Sequence, residues 1–218
     1  MKCSKCKSES IIQLTNNKIH LCKSHFFRYF EAKVIKTIRT RKLIEKGDRV
    51  LCEVRNTLAS IKILKQYVDW NVITLEVIYS GKGSQKQVAD YCKANKIILT
   101  NNKVKKKKKQ EFTKMALEQN LDDECRDILV SQFSDKINPG NFGPTAGKII
   151  KPFCLMLKDE VNLYSKLRKF NLKHSPQKQN KLQKATSKML NEIEKKYPGT
   201  KFGIINYFKK ITLLLRKG

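Results

Sequence analysis

Hydrophobic residues recur at helical spacing over residues 26–46, directly after a short polar segment at the N-terminus. Phe27, Phe30, Val34 and Ile38 lie three or four positions apart, with basic residues between them. This spacing predicts an amphipathic helix that packs one face on a neighbour and leaves the other in solvent.

Short apolar runs alternate with helical patterns in the middle of the chain. Strands are predicted at 49–54, 71–79 and 96–99, and helices at 58–67 and 87–94. This alternation is typical of βαβ units, so the predicted fold class is α/β, a Rossmann-like and mostly parallel sheet. The last third predicts helices at 158–170, with Val161 and Tyr164 inward, and at 182–197, with Met189, Leu190 and Ile193 inward. An apolar tail that follows is expected to pack on the domain.

Charge narrows the class of partner. The 218 residues carry 47 Lys and Arg against 19 Asp and Glu, for a net charge of +28. Such an excess predicts a polyanionic partner, and nucleic acid is the first candidate. A genome that favours Lys and Asn codons explains part of the lysine count but not the shortage of acids. No apolar run reaches the roughly 18 residues of a membrane span, so no membrane role is expected.

Four candidate metal ligands open the chain. Cys3, Cys6, Cys22 and His25 form the pattern C-x₂-C-x₁₅-C-x₂-H. Two ligand pairs, each separated by two residues, are typical of a closed tetrahedral Zn site. His20 is an alternative fourth ligand but breaks this spacing, and reduced thiols in a disordered leader are the alternative to a metal site. Because the chain starts polar, without a secretory signal, we expect a reducing cytoplasm.

Two basic segments are candidate RNA contacts. The first is on the predicted helix, and the second is a lysine run in the middle of the chain; a merely solvated surface is the alternative for both. The candidate residues are Arg28, Lys33, Lys36 and Arg39 on the helix, and Lys105, Lys106, Lys107, Lys108 and Lys109 in the run.

The turn after the first long strand, residues 55–60, lies where open α/β sheets bind ligands. A phosphate cradle there needs glycines that let backbone N–H groups approach the oxygens, together with a lysine or similar donor. The turn contains neither, and Leu58 is apolar. We therefore expect no phosphate cradle of the usual kind.

Several collinear stretches resemble TtuA-type proteins and their eukaryotic cytoplasmic counterparts, PP-loop ATP pyrophosphatases that 2-thiolate uridine in tRNA. The matching stretches are CxxC…CxxHF at 3–26, YFEAKVIKTIRTRKLIEKGDRVL at 29–51, NLDDE at 120–124, IKPF at 150–153, DEVNLYSKL at 159–167 and MLNEIEKKYPGTKF at 189–202. The first and last are the most specific. The resemblance implies a PP-loop α/β fold and tRNA as the partner.

The chain departs from this family at its chemical motifs. Where the family has SGGKDS, only Ser60 remains, and the resemblance places Asp122 and Asp123 beside the nucleotide. The alternative is that Asn120 or Asp122 caps the helix that follows, with the acids complementing its dipole. Ser175 stands where the family has a cysteine, and a C-x-x-C-G segment is missing. A hydroxyl is a poor substitute for a thiolate, so we expect no iron–sulfur cluster. Because the phosphate cradle is also missing, we expect no productive ATP binding.

These observations predict a zinc knuckle at 1–26, a basic linker helix at 27–47 and a degenerate PP-loop-like domain with a helical C-terminal part at 48–218. The expected function is a non-catalytic, tRNA-binding member or subunit of the tRNA wobble-uridine 2-thiolation system. The expected assembly is a homodimer, or a heterodimer with an intact paralogue. The alternatives are a stand-alone zinc-containing RNA-binding protein and a divergent but active ATP-dependent sulfurtransferase.

Overall fold

Seven helices and eight strands make up the part of the chain that this computed structural model describes, residues 1–15, 17–81, 85–100, 111–134, 142–172 and 179–215. The helices are α1 (Lys23–Thr40), α2 (Ala59–Asp69), α3 (Lys86–Ala94), α4 (Leu121–Phe133), α5 (Lys158–Arg168), α6 (Lys181–Lys196) and α7 (Thr200–Leu215). The strands are β1 (Ile12–Gln13), β2 (His20–Leu21), β3 (Asp48–Val54), β4 (Ile73–Tyr79), β5 (Ile98–Thr100), β6 (Lys114–Ala116), β7 (Thr145–Ala146) and β8 (Ile149–Ile150).

Six strands form one sheet in the order β5-β4-β3-β6-β8-β7, and all neighbours are parallel except β7 and β8. This confirms the predicted Rossmann-like α/β class. In β3, at the centre of the sheet, every residue except Arg49 is buried. Such a nearly continuous buried strand is expected where both faces of a parallel sheet are covered. The carboxyl ends of β3, β4 and β6 therefore meet at one edge.

Helix α1 packs a ladder of large side chains onto the rest of the molecule. Phe26, Phe30, Val34 and Ile38, each four residues apart, are at most 1% exposed. The Phe30 ring stacks on the ring of Tyr164, with centroids 4.1 Å apart. Phe30, Val34 and Ile38 are buried as predicted, Phe26 joins them, and Phe27 is only partly buried.

Charged side chains also bind α1 to α5. Lys33 Nζ lies 3.3 Å from Glu160 Oε2. Arg168 Nη2 donates to Glu31 Oε1 at 2.8 Å, and its guanidinium lies 4.0 Å from the centroid of the Phe27 ring. These partly buried contacts hold the two helices in one relative position.

One hydrophobic cluster extends from the N-terminal segment through α1 and the sheet to Leu172. Leu14 and Leu21, both in the first 26 residues, are at most 4% exposed within it. The predicted boundary between residues 26 and 27 falls inside α1. The N-terminal segment and the sheet therefore share one core.

Helices α4, α6 and α7 enclose a second hydrophobic cluster. The apolar tail contributes Ile205 and Phe208, so the prediction that it packs on the domain is confirmed. Leu190 is buried as predicted, but Met189 and Ile193 are each 36% exposed, so the prediction that they point inward is wrong. Helix α6 buries the adjacent stripe that contains Leu190 instead. No helix in the described ranges is both long and apolar enough to span a bilayer.

Candidate functional site

The structure brings together the four predicted metal ligands. Their ligand atoms all lie within 4.8 Å of one another. The Sγ atoms of Cys6 and Cys22 are 3.7 Å apart, and His25 Nδ1 lies 3.3 Å from Cys22 Sγ and 3.6 Å from Cys3 Sγ. Around a tetrahedral ion with bonds of ~2.3 Å to sulfur and ~2.0 Å to nitrogen, two sulfur ligands lie about 3.8 Å apart, and a sulfur and a nitrogen ligand lie about 3.5 Å apart. The donor set therefore fits a single tetrahedral ion, and His20 is not part of it.

Local structure aims these ligands at one point. Cys22 is the residue before α1, which places His25 in the first turn of the helix. Although desolvation opposes ionisation, backbone N–H groups of Cys22, Lys5 and Cys6 lower the pKa of the Cys3 thiol to about 6. A thiol that ionises this readily is well suited to bind a metal ion, because the thiolate is the ligand form.

A second cluster of polar groups lies at the carboxyl edge of the sheet, where a carboxylate occupies the turn after β3. Glu118, two residues beyond β6, accepts hydrogen bonds from the backbone N–H groups of Arg55 at 3.2 Å and Asn56 at 2.9 Å. The Ser60 hydroxyl donates to the same carboxylate at 3.4 Å. The amides of the turn therefore donate to an acceptor that belongs to their own chain.

The amides of Leu58 and Ala59, later in this turn, are also engaged. The N–H of Leu58 donates to the carbonyl oxygen of Phe170 at 3.1 Å, and that of Ala59 to Thr57 Oγ1 at 3.0 Å. The N–H of Leu172 in turn donates to the carbonyl oxygen of Asn56 at 3.0 Å. The segment after α5 is thus bound directly to the turn.

A buried acid also neutralises the cation next to the turn. Glu53 is 4% exposed, and its Oε1 accepts hydrogen bonds from Arg55 Nη2 at 2.6 Å and from the Ser80 hydroxyl at 2.7 Å. A charge-assisted bond of this length fixes the guanidinium in the protein. The charge of Arg55 is therefore paired with Glu53 of β3.

The position of Glu118 predicts a pH dependence of stability. Desolvation raises the pKa of its carboxyl group to about 7, although the amides of Asn56 and Arg55 favour ionisation. The folded protein therefore binds more protons than the unfolded chain between about pH 4.5 and 7. The free energy of unfolding should fall across this window, by at most about 3 kcal/mol from this group.

Urea unfolding of the wild type and Glu118→Gln at pH 5, 6, 7 and 8 measures this contribution. The variant should lack this fall, and its stability relative to the wild type should increase with pH. Glu192→Gln makes the same exchange at an exposed position and should leave the dependence unchanged. Parallel stability curves for the wild type and Glu118→Gln would contradict the prediction.

The acids proposed to lie beside a nucleotide have other partners. Asp123 forms a capping box with Asn120 at the start of α4 and accepts from Arg126 Nη1 at 2.8 Å. Asp122 accepts from the backbone N–H of Lys158 at 2.8 Å and from Lys201 Nζ. Asn120 therefore caps α4 together with Asp123, whereas Asp122 bonds to Lys158 and Lys201, and Ser60 bonds to Glu118.

The predicted RNA contacts on α1 divide into two groups. Arg28, Lys36 and Arg39 are exposed. They follow one another at spacings of eight and three residues and so share one side of the helix. Lys33 is half-buried against Glu160, so its charge has an internal partner. The run from Lys105 to Lys109 lies outside the described residues.

Comparison with known proteins agrees with the motifs and the fold. A sequence profile described as "2-thiouridine synthetase TtuA, N-terminal LIM domain" matches residues 2–27. The tRNA-5-methyluridine(54) 2-sulfurtransferase of Pyrococcus horikoshii is 27% identical in a gapped alignment of 257 positions. The alignment covers 96% of this chain and 83% of that protein. The chain is therefore similar to TtuA-type tRNA sulfurtransferases along most of its length. A probable sulfurtransferase of Methanocaldococcus jannaschii is 26% identical over 208 residues, which cover 88% of this chain and 58% of that protein.

A solved structure shows the same fold. The U34-tRNA thiolase NcsA from Methanococcus maripaludis, described with its 4Fe-4S cluster, superposes with a TM-score of 0.79 at 19% identity. The match covers 97% of this chain and 87% of the thiolase.

This comparison overturns one expectation from the sequence. The sequence predicts no iron–sulfur cluster. That prediction is wrong, because the thiolase, described with its 4Fe-4S cluster, shares the fold over nearly the whole chain. The prediction relied on cysteines missing from two segments. Cluster ligands can come from distant positions that the fold brings together, so a missing local motif does not exclude a cluster. Ser175, where the family has a cysteine, lies outside the described residues.

The sequence patterns did not indicate Glu118, which contacts the turn after β3. It belongs to no motif and follows a strand of only three residues. The available signal was positional, because residues just beyond parallel strands meet at one edge of the sheet. Recognising β6 would have placed Glu118 opposite the turn after β3.

Proposed function

We propose that this chain is a non-catalytic, tRNA-binding member of a tRNA 2-thiolation system. The observation that carries the proposal is the Glu118 carboxylate on the backbone amides of Arg55 and Asn56. A nucleotide phosphate at this turn would need the same donors. When the Glu118 carboxyl group is ionised, the phosphate would also meet a like charge, which costs free energy in a partly desolvated site.

The other members of the site support this reading. Leu58 and Ala59 direct their amides to internal acceptors, and Arg55 is paired with Glu53. The alternative of a divergent active enzyme would use Ser60 with Asp122 and Asp123. Those two acids instead bond to α4, to Lys158 and to α7.

The substrate class comes from the relatives. Two curated relatives are named for uridine 54 of tRNA, the Pyrococcus horikoshii protein and a Thermotoga maritima protein that is 28% identical over 106 residues, covering 48% of this chain and 34% of that protein. The solved thiolase is described for U34. The proposal therefore names tRNA 2-thiolation and not the wobble position.

In the proposed mechanism, Cys3, Cys6, Cys22 and His25 hold a structural zinc ion, which contributes folding free energy. Three exposed cations on α1, Arg28, Lys36 and Arg39, form a basic ridge that binds phosphates of tRNA. The lysine run at 105–109 is a further candidate contact. An intact paralogue in a heterodimer would supply ATP chemistry and sulfur transfer, and a homodimer is the alternative assembly.

A pyrophosphate-release assay tests the proposal. The zinc-loaded chain, incubated with ATP, Mg²⁺, a sulfide source and tRNA, should release pyrophosphate no faster than a mixture without protein, because Glu118 occupies the turn. The relative from Pyrococcus horikoshii, assayed in parallel, serves as the positive control. Pyrophosphate release by the wild type that is lost in Ser60→Ala would contradict the proposal.

A further inference from the structure

A cavity of about 340 Å³ opens next to the metal-binding residues. Its lining includes the buried Leu14 and Leu21, the half-buried Ile19 and Tyr29, and the exposed Lys5 and Arg28. The volume lies at the small end of ligand pockets, which range from about 300 to 1,000 Å³. It therefore suits one small group rather than a long segment of chain.

Two aromatic rings of α1 give the cavity flat surfaces. His25 and Tyr29 are four residues apart, so both project from the same side of the helix into the lining. The Tyr29 hydroxyl donates to Glu160 Oε1 at 2.8 Å and accepts from Lys33 Nζ at 2.9 Å. These bonds fix the ring in place, so it can act as a stacking surface without losing further conformational entropy.

The charges around the cavity favour an anionic ligand. Lys5 and Arg28 are exposed among its lining residues, and none of those residues is acidic. Arg28 is also the first member of the basic ridge on α1, which continues through Lys36 and Arg39. A ligand with a planar apolar part and neighbouring negative charges matches this arrangement, and a nucleotide within RNA has both.

We infer that this cavity is a base slot, which takes one unstacked base of a single-stranded RNA segment while its flanking phosphates contact Lys5 and Arg28. The inference rests on the proposed RNA-binding function and specifies where a loop nucleotide is held. Aromatic side chains bind unstacked bases in this way without demanding one particular base.

Two RNA hairpins test the inference. They are identical except that every loop nucleotide is abasic in the second hairpin. The zinc-loaded wild type should bind the complete hairpin about tenfold more tightly, which is within the range known for stacking of one base on an aromatic ring. Ile19→Trp fills the cavity and should remove this preference, while affinity for the abasic hairpin stays unchanged. Ile11→Trp makes the same exchange at a residue that is 42% exposed and does not line the cavity, and it should keep the preference.

The outcomes separate the base slot from the proposed function. Equal affinity of the wild type for both hairpins, or a preference that survives in Ile19→Trp, overturns the slot and leaves RNA binding intact. Failure of the wild type to bind either hairpin at low salt overturns both. If Ile19→Trp instead converts a dimer to a monomer in sedimentation and leaves RNA binding unchanged, a second copy of the chain occupies the cavity and the inference is wrong.

Discussion

Replacing Cys3 and Cys6 together by serine is expected to release the bound zinc, about one ion per chain, and to destabilise the whole molecule. Structural zinc supplies roughly 10–16 kcal/mol of apparent binding free energy in zinc-finger peptides at pH 7. Here the loss would spread, because Leu14 and Leu21 pack in the same hydrophobic cluster as α1 and the sheet. Metal analysis of the purified chain and urea unfolding followed by circular dichroism measure the two effects.

A matched variant separates loss of the metal from loss of a cysteine. Cys92→Ala also removes a buried thiol, but Cys92 lies in α3 and is not in the ligand group. Its zinc content should equal that of the wild type. A chelator should destabilise the wild type and Cys92→Ala alike, and should leave the double serine variant unchanged. Unchanged zinc content in the double variant would contradict the predicted metal site.

Replacing Arg28, Lys36 and Arg39 together by alanine is expected to weaken tRNA binding on the order of a hundredfold at low salt. Each cation that contacts a phosphate contributes about 0.7–0.9 to the slope of log affinity against log salt. The triple variant should therefore lower this slope by roughly 2–3. Titrations of labelled tRNA at several salt concentrations measure both quantities.

Three lysines of α6 provide a control with the same change of net charge. Lys181, Lys184 and Lys195 are exposed and lie outside the basic ridge. Their replacement by alanine should leave most of the affinity and of the salt slope intact. Equal losses in the two triple variants would mean that the net charge of +28, and not the basic ridge, attracts the RNA.

Features with a strong local signal could be predicted from the sequence. The predicted start of β3 lies within one residue of the observed one because Val50, Leu51 and Cys52 form an apolar run, and the four metal ligands could be predicted because their spacing reflects the geometry of one ion. Strands of two residues such as β7 and β8 carry too little periodicity for detection. The length of a pattern and the specificity of its spacing decided these outcomes.

Features that depend on distant partners could not be predicted. The sequence predicts Lys33 as an RNA contact, but in the structure it pairs with Glu160. Nothing near Lys33 in sequence indicates this partner, which is 127 positions away. The bonds from Glu118 to the turn after β3 connect residues about sixty positions apart. The wrong prediction about an iron–sulfur cluster has the same cause. It relied on two local segments, whereas cluster ligands can come from distant parts of the chain.

The core shared between the N-terminal segment and the sheet means that the metal-binding part cannot be transplanted alone. A fragment that ends after α1 would expose Phe26, Phe30, Val34 and Ile38 along one side of the helix, because their burial depends on the rest of the chain. Such a sticky surface promotes self-association. This segment could therefore be joined to another protein only if that protein offered a matching apolar surface for α1.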